Sequence, residues 1–359
     1  MGIESLVRPE ILNLKRYVTA RQESATVRMN ANELPWPSQS DSATVPLMPL
    51  NRYPEIRPQQ LQEVLADYYG VPLKCLLATR GSSEAIDLLI RAFCQAGRDS
   101  IVVTPPTFSM YRVYADIQGA ETLSAPMLPC NNFQLDVDAL LATCKPGTKI
   151  IFICSPNNPT GHVTPAAQIL EIARARREKS IVVVDEAYAE FSEAVSLCSS
   201  LEGFDNIVVL RTLSKALALA GARCGAVVGA APLIGWLDAM LAPYALATPV
   251  IDSVLRAFTV ENLRTSRDAL AHIVRERERL RKALSSQSQV EHIWPSQTNF
   301  LLVRFRNLGR VVDQLRLQRI LVRDFPHDTQ LAECARITVG TPEENDLLIA
   351  ALRDGGEVS

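Results

Sequence analysis

The stretch Ile181-Val-Val-Val-Asp-Glu-Ala-Tyr188 runs four β-branched apolar residues directly into a carboxylate. A run that is apolar at every position and is too short for a buried helix is typical of a strand covered on both faces. Similar runs occur on either side of it, at Leu76 to Thr79, Ser100 to Thr104, Lys149 to Cys154, Asn206 to Leu210 and Cys224 to Gly229. Strands of this kind predict a largely parallel sheet packed between helices, which is an α/β core.

Segments with helical spacing separate these runs. After Gly81, the apolar residues Ile86, Leu89, Ile90 and Phe93 recur at the interval that places them on one face of a helix. This alternation of strand and helix is the pattern that builds a parallel sheet from crossover connections.

The pattern changes after Pro249. A long charged helix is predicted through Asp268 to Lys282, and a final helix from about Pro342. Between them lie strand candidates at Asn299 to Phe305, Ile320 to Arg323 and Ala335 to Val339. We therefore expect an N-terminal arm (residues 1–28), a large domain (29–250) and a smaller α+β C-terminal domain (251–359).

Composition excludes several classes of protein. The 359 residues carry 37 Lys plus Arg against 39 Asp plus Glu, a formal net charge of −2, with no basic block for a nucleic-acid backbone. No apolar run is long enough to span a membrane. The eight cysteines are scattered without a CxxC pair and the N-terminus has no apolar signal core, so we expect reduced thiols in a cytoplasmic protein. The four histidines show no metal-ligand spacing, so no metal is expected.

Four polar elements follow predicted strands. Lys215 lies in Thr212-Leu-Ser-Lys-Ala216, and Asp185 ends the run quoted above. Cys154-Ser-Pro-Asn-Asn-Pro-Thr-Gly161 is a turn with two adjacent amides, and Arg80-Gly-Ser-Ser-Glu84 opens a helix whose free N–H groups can bind phosphate. Because ligands of α/β proteins bind at the carboxyl ends of the strands, we expect these elements to share one site.

Each element also has a simpler explanation. A lysine at a helix start can be merely solvated, and an aspartate after a strand is often a helix N-cap. A turn accounts for the glycine and both prolines of the third element, and Gly and Ser are common at helix starts. Taken together, however, the four supply what pyridoxal phosphate needs: an amine for its aldehyde, a carboxylate for its pyridinium nitrogen, an amide for its phenolic oxygen and a phosphate cradle.

The motifs resemble those of the fold-type I, class II pyridoxal-phosphate-dependent aminotransferases, and most closely the histidinol-phosphate aminotransferase family. The pattern SK-x5-G-x-R-x-G with an upstream D-x-x-Y is typical of the wider group, whereas NRYP and RITVG indicate this family. The matching segments span nearly the whole chain: Asn30-Ala-Asn-Glu33, Asn51-Arg-Tyr-Pro54, Arg80-Gly81 with Leu88-Leu-Ile-Arg-Ala-Phe93, Pro105-Pro-Thr107, Ser155-Pro-Asn-Asn-Pro-Thr-Gly161, Asp185-Glu-Ala-Tyr188, Arg211-Thr-Leu-Ser-Lys-Ala216 and Ala335-Arg-Ile-Thr-Val-Gly340.

The resemblance implies a role for each matched residue. Lys215 is expected to form the Schiff base with the cofactor, and Asp185 to pair with its pyridinium nitrogen. The phenolic oxygen is expected to contact Asn158 and Tyr188. The remaining cofactor contacts implied by the family are the phosphate ligands Ser82, Ser83, Ser214 and Arg223, the ring-stacking Phe108, and Tyr53 reaching the phosphate from the neighbouring subunit of a homodimer.

Two positions depart from the family pattern. Phe108 stands where tyrosine is more common, which keeps ring stacking and removes a hydroxyl. Ser83 replaces the usual acidic residue, so that only the backbone N–H is kept as a donor at this position.

The resemblance further implies transamination between L-histidinol phosphate and 2-oxoglutarate, giving imidazole acetol phosphate and L-glutamate in histidine biosynthesis. Arg323 and Arg336 are the expected ligands for the substrate's phosphate or carboxylate, since a guanidinium binds either anion. Tyr17 is the candidate that closes over the substrate. Each arginine could instead form a surface ion pair.

Other readings remain open from the sequence. A threonine-phosphate decarboxylase or a broad aromatic aminotransferase of the same fold would use the same cofactor apparatus. A transcription regulator is disfavoured because about fifty residues precede the first matched helix, without a basic helix-turn-helix pattern. A Rossmann dehydrogenase is disfavoured because no strand is followed by G-x-G-x-x-G.

Overall fold

A seven-stranded sheet forms the centre of the computed structural model, which describes residues 26–30, 32–36 and 50–353. The strands of these residues are, in chain order, β1 (Val27–Arg28), β2 (Leu76–Thr79), β3 (Ser100–Val103), β4 (Glu121–Ser124), β5 (Thr148–Cys154), β6 (Ile181–Asp185), β7 (Ile207–Thr212), β8 (Gly225–Gly229), β9 (Val290–Ile293), β10 (Phe300–Phe305), β11 (Ile320–Leu321), β12 (Arg323–Asp324) and β13 (Cys334–Thr338). The order in the large sheet is β2-β8-β7-β6-β5-β3-β4.

The large sheet is parallel from β7 to β4, and β8 runs antiparallel to both of its neighbours. Strands β2, β3, β7 and β8 are buried along their whole length, and so are all but the first residue of β6. This burial on both faces explains why they read as continuous apolar runs. The fold class expected from the sequence is therefore confirmed.

Three strands were not predicted: β1, which is only two residues long, and the edge strands β4 and β9. β4, at the edge of the large sheet, and β9, at the edge of the small one, are largely exposed and carry polar residues. A strand covered by few neighbours needs no apolar run, so periodicity does not reveal it.

Helices cover both faces of the sheet. The α-helices of the described residues are, in chain order, α1 (Gln59–Tyr69), α2 (Gly81–Phe93), α3 (Met110–Gln118), α4 (Val137–Thr143), α5 (Ala166–Ala175), α6 (Ala231–Met240), α7 (Thr248–Ala257), α8 (Val260–Ser285), α9 (Leu308–Leu317) and α10 (Pro342–Arg353). Along α2, Ile86, Leu89 and Ile90 are fully buried, as the spacing of these residues predicts. Among the described residues, we find no helix with the length and apolar content to cross a membrane.

The C-terminal part of the chain builds a four-stranded antiparallel sheet in the order β12-β13-β10-β9. Helix α8 is longer than the segment predicted from charge, because Thr259 caps its start by accepting a hydrogen bond from the Asn262 N–H. Strand β1 pairs in parallel with β11, so residues near the start of the chain contact this part. Residue 250 lies inside α7, whose Val254 and Ala257 pack with the large sheet. The domain boundary near residue 250 stays a prediction.

Candidate active site

Polar residues lie together at the carboxyl ends of β5, β6 and β7. Cys154 pairs with Asp185 across the first two strands, and Asp185 pairs with Leu210 across the next two. Since all three strands are parallel, the segments that follow them leave the sheet side by side. They border a cavity of about 450 Å³. The predicted site residues that line this cavity are Ser82, Ser83, Phe108, Asn158, Asp185, Tyr188, Ser214, Lys215, Arg223, Arg323 and Arg336.

Lys215 follows β7 and points its ammonium group toward the face of the Tyr188 ring, 5.9 Å from the ring centroid. Burial and, next in size, the positive charge of Arg336 lower the pKa of Lys215 to about 8, while Glu33 acts in the opposite direction. A lysine in this state carries an appreciable fraction of free amine near neutral pH, and the free amine is the nucleophile.

Asp185 is 2% exposed and accepts two hydrogen bonds. The Tyr111 hydroxyl donates to Oδ2 at 2.7 Å, and the Ala187 N–H donates to Oδ1 at 3.1 Å. Burial raises the pKa of Asp185, whereas the hydrogen bonds from Tyr111 and Ala187 lower it. A buried carboxylate held in this way is suited to a cationic ring nitrogen, which would compensate its charge.

Asn158 and Arg336 contact each other directly. Arg336 Nη1 donates to Asn158 Oδ1 at 2.6 Å, and Nη2 donates to the Asn30 carbonyl at 2.9 Å. Because the Asn158 oxygen accepts from Arg336, its NH2 group is the part that can donate to a ligand. Arg336 is 8% exposed, so it is not the surface ion pair that the sequence left open.

Tyr188 is oriented by the N-terminal segment. Asn32 Nδ2 donates to the Tyr188 hydroxyl at 2.9 Å, and Thr338 Oγ1 donates to Asn32 Oδ1 at 3.0 Å. Since this hydroxyl accepts from Asn32, its own O–H can donate to a ligand. Burial raises the pKa of Tyr188 to about 12, with Arg336 opposing the shift, so the phenol keeps its proton.

The start of α2 provides an anion site. Arg80 stands at the N-cap without a side-chain capping bond, which leaves the first N–H groups of the helix, at Ser82 and Ser83, to a ligand. Gly81 has φ +73°, and a Cβ there would lie 2.9 Å from Arg223 Nη2. Arg223 Nη1 donates to Ser214 Oγ at 3.3 Å, so serine, guanidinium and helix N-terminus meet at one point.

Of the predicted site residues that the structure describes, Tyr53 does not line this cavity. Tyr53 is 79% exposed and stacks on Tyr244, with 4.6 Å between ring centroids. Tyr17 lies outside the described residues. The structure also brings in residues with no role assigned from the sequence, among them Glu33, Tyr111 and Phe325. The NANE segment was matched to the family, and that match was the available signal for Asn30, Asn32 and Glu33.

Comparison with known proteins shows which family the chain resembles. The family model for class I and II aminotransferases matches residues 40–352. The histidinol-phosphate aminotransferase of Xylella fastidiosa is 42% identical over 353 residues, covering 97% of this chain and 96% of that protein. The enzyme of the same name from Salmonella choleraesuis is 40% identical over 355 residues, covering 98% of this chain and 97% of that protein.

A solved structure has the same fold. The histidinol-phosphate aminotransferase of Sinorhizobium meliloti, in complex with pyridoxal-5'-phosphate, superposes with a TM-score of 0.86 at 24% identity, covering 98% of this chain and 97% of that one. With a family model over most of its length and full-length relatives near 40% identity, the chain belongs to the class I and II aminotransferases and, within them, to the histidinol-phosphate aminotransferase family.

Proposed function

We propose that this protein transfers the amino group between L-histidinol phosphate and 2-oxoglutarate, giving imidazole acetol phosphate and L-glutamate in histidine biosynthesis, with pyridoxal phosphate as cofactor. The full-length relatives support this substrate pair. The observation that carries the chemistry is the convergence of Lys215, Asp185 and the α2 N-terminus on one cavity.

Pyridoxal phosphate supplies an aldehyde and an electron-withdrawing ring when bound. The residues present fit that group from end to end. Lys215 offers the amine, Asp185 the carboxylate for the ring nitrogen, and Asn158 and Tyr188 the donors for the phenolic oxygen. Phe108 lies in the cavity wall, where it would stack on the ring. Ser214, Arg223 and the amides of Ser82 and Ser83 would hold the phosphate.

Lys215 also moves the proton at the substrate carbon. A general base works best when its pKa lies near the working pH, because it can then take up a proton and return it. The pKa of Lys215, lowered to about 8, meets this condition. Burial is the largest cause of this lowered pKa, and the charges of Arg336 and Asp185 act on it in opposite directions.

The two arginines select for anionic substrates. Arg336 is held by Asn158 and by the Asn30 carbonyl, and Arg323 lies half-buried in the cavity wall. A guanidinium fork can bind the phosphate of histidinol phosphate in one half-reaction and a carboxylate of glutamate in the other. We also propose that Tyr17 closes over the bound substrate.

The test compares donors and a lysine variant. Wild-type protein loaded with pyridoxal phosphate should form glutamate from histidinol phosphate and 2-oxoglutarate. Lys215→Ala should lose the covalent attachment of the cofactor and reduce turnover by about a thousandfold, since a proton-transfer group is removed. Lys179→Ala, at an exposed lysine, is the matched control and should behave as wild type.

Two results would contradict the proposal. Carbon dioxide released from threonine phosphate would assign the protein as a decarboxylase of the same fold. Equal turnover of aromatic amino acids and histidinol phosphate would assign a broad aromatic aminotransferase. More than residual activity in Lys215→Ala would remove the role of that lysine.

The assembly is proposed to be a cytoplasmic homodimer. Leu50, Tyr53, Ile56 and Trp236 are more than half exposed, an uncommon property for large apolar side chains. Arg57 joins their two segments by hydrogen bonds to the carbonyls of residues 238, 241 and 242. A second subunit that covers this face would bury them. The eight unpaired cysteines are in keeping with a reducing compartment.

A further inference from the structure

A buried group of three charged residues lies behind the cavity, on the other face of the large sheet. We call Glu186, Glu190 and Arg211 the Arg211 cluster. Side chains alternate along a strand, so Glu186 points away from the face that Asp185 occupies. The roles proposed above for cavity residues use none of the three.

The contacts within the Arg211 cluster are short and sealed from solvent. Arg211 Nη1 is 2.6 Å from Glu186 Oε2, and Nη2 is 2.6 Å from Glu190 Oε1. The side chains of Arg211 and Glu186 are 6% exposed and that of Glu190 is 11% exposed. The Arg211 guanidinium also lies 4.9 Å from the centroid of the Tyr69 ring.

Glu186 further joins the cluster to the loop beyond β6. Its Oε1 accepts from the Leu197 N–H at 2.8 Å, and its Oε2 accepts from the Ser196 hydroxyl. The carboxylate therefore bonds Arg211 on one side and a neighbouring segment on the other.

The Arg211 cluster lies beside the last backbone hydrogen bond between β6 and β7, the two strands that lead to Asp185 and Lys215. The Glu186 N–H donates to the Leu210 carbonyl at 3.0 Å, one position beyond the pairing of Asp185 with Leu210. Beyond this hydrogen bond the two segments separate toward Tyr188 and Lys215. The ion pair of Glu186 with Arg211 thus joins the strand ends directly before they diverge.

Stability gives little reason for three charges at this position. Moving ions out of water is expensive, and buried ion pairs can often be replaced by apolar residues without loss of stability. A planar guanidinium held by two carboxylates does, however, fix direction and spacing more tightly than apolar packing does.

We propose that the Arg211 cluster is a positioning device that holds Asp185 and Lys215 at the separation the cofactor requires. The inference rests on the proposed function, because it assigns these two residues to the ring nitrogen and the aldehyde. It adds Glu186, Glu190 and Arg211 as positioning residues that touch neither cofactor nor substrate.

The test distinguishes a positioning role of the Arg211 cluster from a role in folding stability. The triple variant Glu186→Gln/Arg211→Met/Glu190→Met removes all three charges at similar volume and leaves an amide at position 186 to bond Ser196 and Leu197, so its apo-protein Tm should stay close to that of wild type. We expect kcat to fall about tenfold and the Kd for pyridoxal phosphate, followed by tryptophan fluorescence of the apo-protein, to rise about tenfold. The KM for histidinol phosphate should change little, because Arg323 and Arg336 are untouched. Arg281→Met, at an exposed ion pair, is the matched control.

A stable triple variant with kcat and cofactor Kd like those of wild type would overturn the proposal. If the triple variant does not fold, Arg211→Lys decides. It keeps one buried cation but cannot span both carboxylates, so kcat should fall while KM holds, and an unchanged kcat would reject the positioning role. Failure of the proposed function is distinguishable, since it would appear as wild-type inactivity on histidinol phosphate while the cofactor Kd still tests the cluster.

Discussion

At the scale of a single residue, Lys215 decides how the protein responds to pH. Below pH 8 its ammonium form predominates, and above pH 8 the free amine does, about two and a half pH units lower than in an exposed lysine. The rate at which apo-protein takes up pyridoxal phosphate should therefore rise with pH to half its maximum near pH 8. Stopped-flow absorbance across pH 6 to 10 measures this rate of cofactor uptake. Arg336→Met removes a neighbouring positive charge, so its midpoint should move to higher pH; an unchanged midpoint would mean that Arg336 does not contribute to the lowered pKa.

At the scale of an element, Gly225 determines how closely β7, β8 and the start of α2 approach. A Cβ at this position would lie 2.6 Å from the Arg211 carbonyl oxygen and 3.1 Å from Gly81 Cα, and neither backbone atom can move easily. We expect Gly225→Ala to lower the free energy of unfolding by about 2 kcal/mol and to weaken pyridoxal phosphate binding. Denaturant unfolding checks the first effect. In the control Gly235→Ala, an exposed helical position with open space, stability should rise by roughly 0.5 to 1 kcal/mol.

At the scale of the whole molecule, the exposed Tyr53 requires a neighbouring subunit if it is to reach a cofactor phosphate. Tyr53→Ala and Lys215→Ala should each be impaired alone at limiting cofactor. In a mixed dimer, one of the two sites would combine Lys215 from one chain with Tyr53 from the other. Refolding the two variants together should restore about a quarter of wild-type sites, as expected for random pairing in a twofold dimer. No recovery would place Tyr53 in its own chain's site or outside any site.

The sequence predicted the strand ends of the site well and their surroundings poorly. Asp185, Lys215 and the start of α2 were recognised because each follows an apolar run within a short local motif. Tyr111 and Asn32 were not assigned, although they hold Asp185 and Tyr188 by hydrogen bonds. No local motif marks Tyr111, because a tyrosine inside a helix has many ordinary uses, and the matched segment that contains Asn32 gave this asparagine no role.

From the sequence alone followed the α/β core, the set of strands whose ends border the cavity and the identity of the residues at those ends. Apolar patterning and short motifs are local properties of a chain, so they can be read without coordinates. Only the tertiary structure decided which donors and acceptors meet, because those pairs are far apart in sequence: 74 positions for Tyr111 with Asp185, 178 for Asn158 with Arg336, and 306 for Asn32 with Thr338. Such contacts form only when the sheets and helices have packed, and that packing brings Asp185, Lys215 and three guanidinium groups into one cavity.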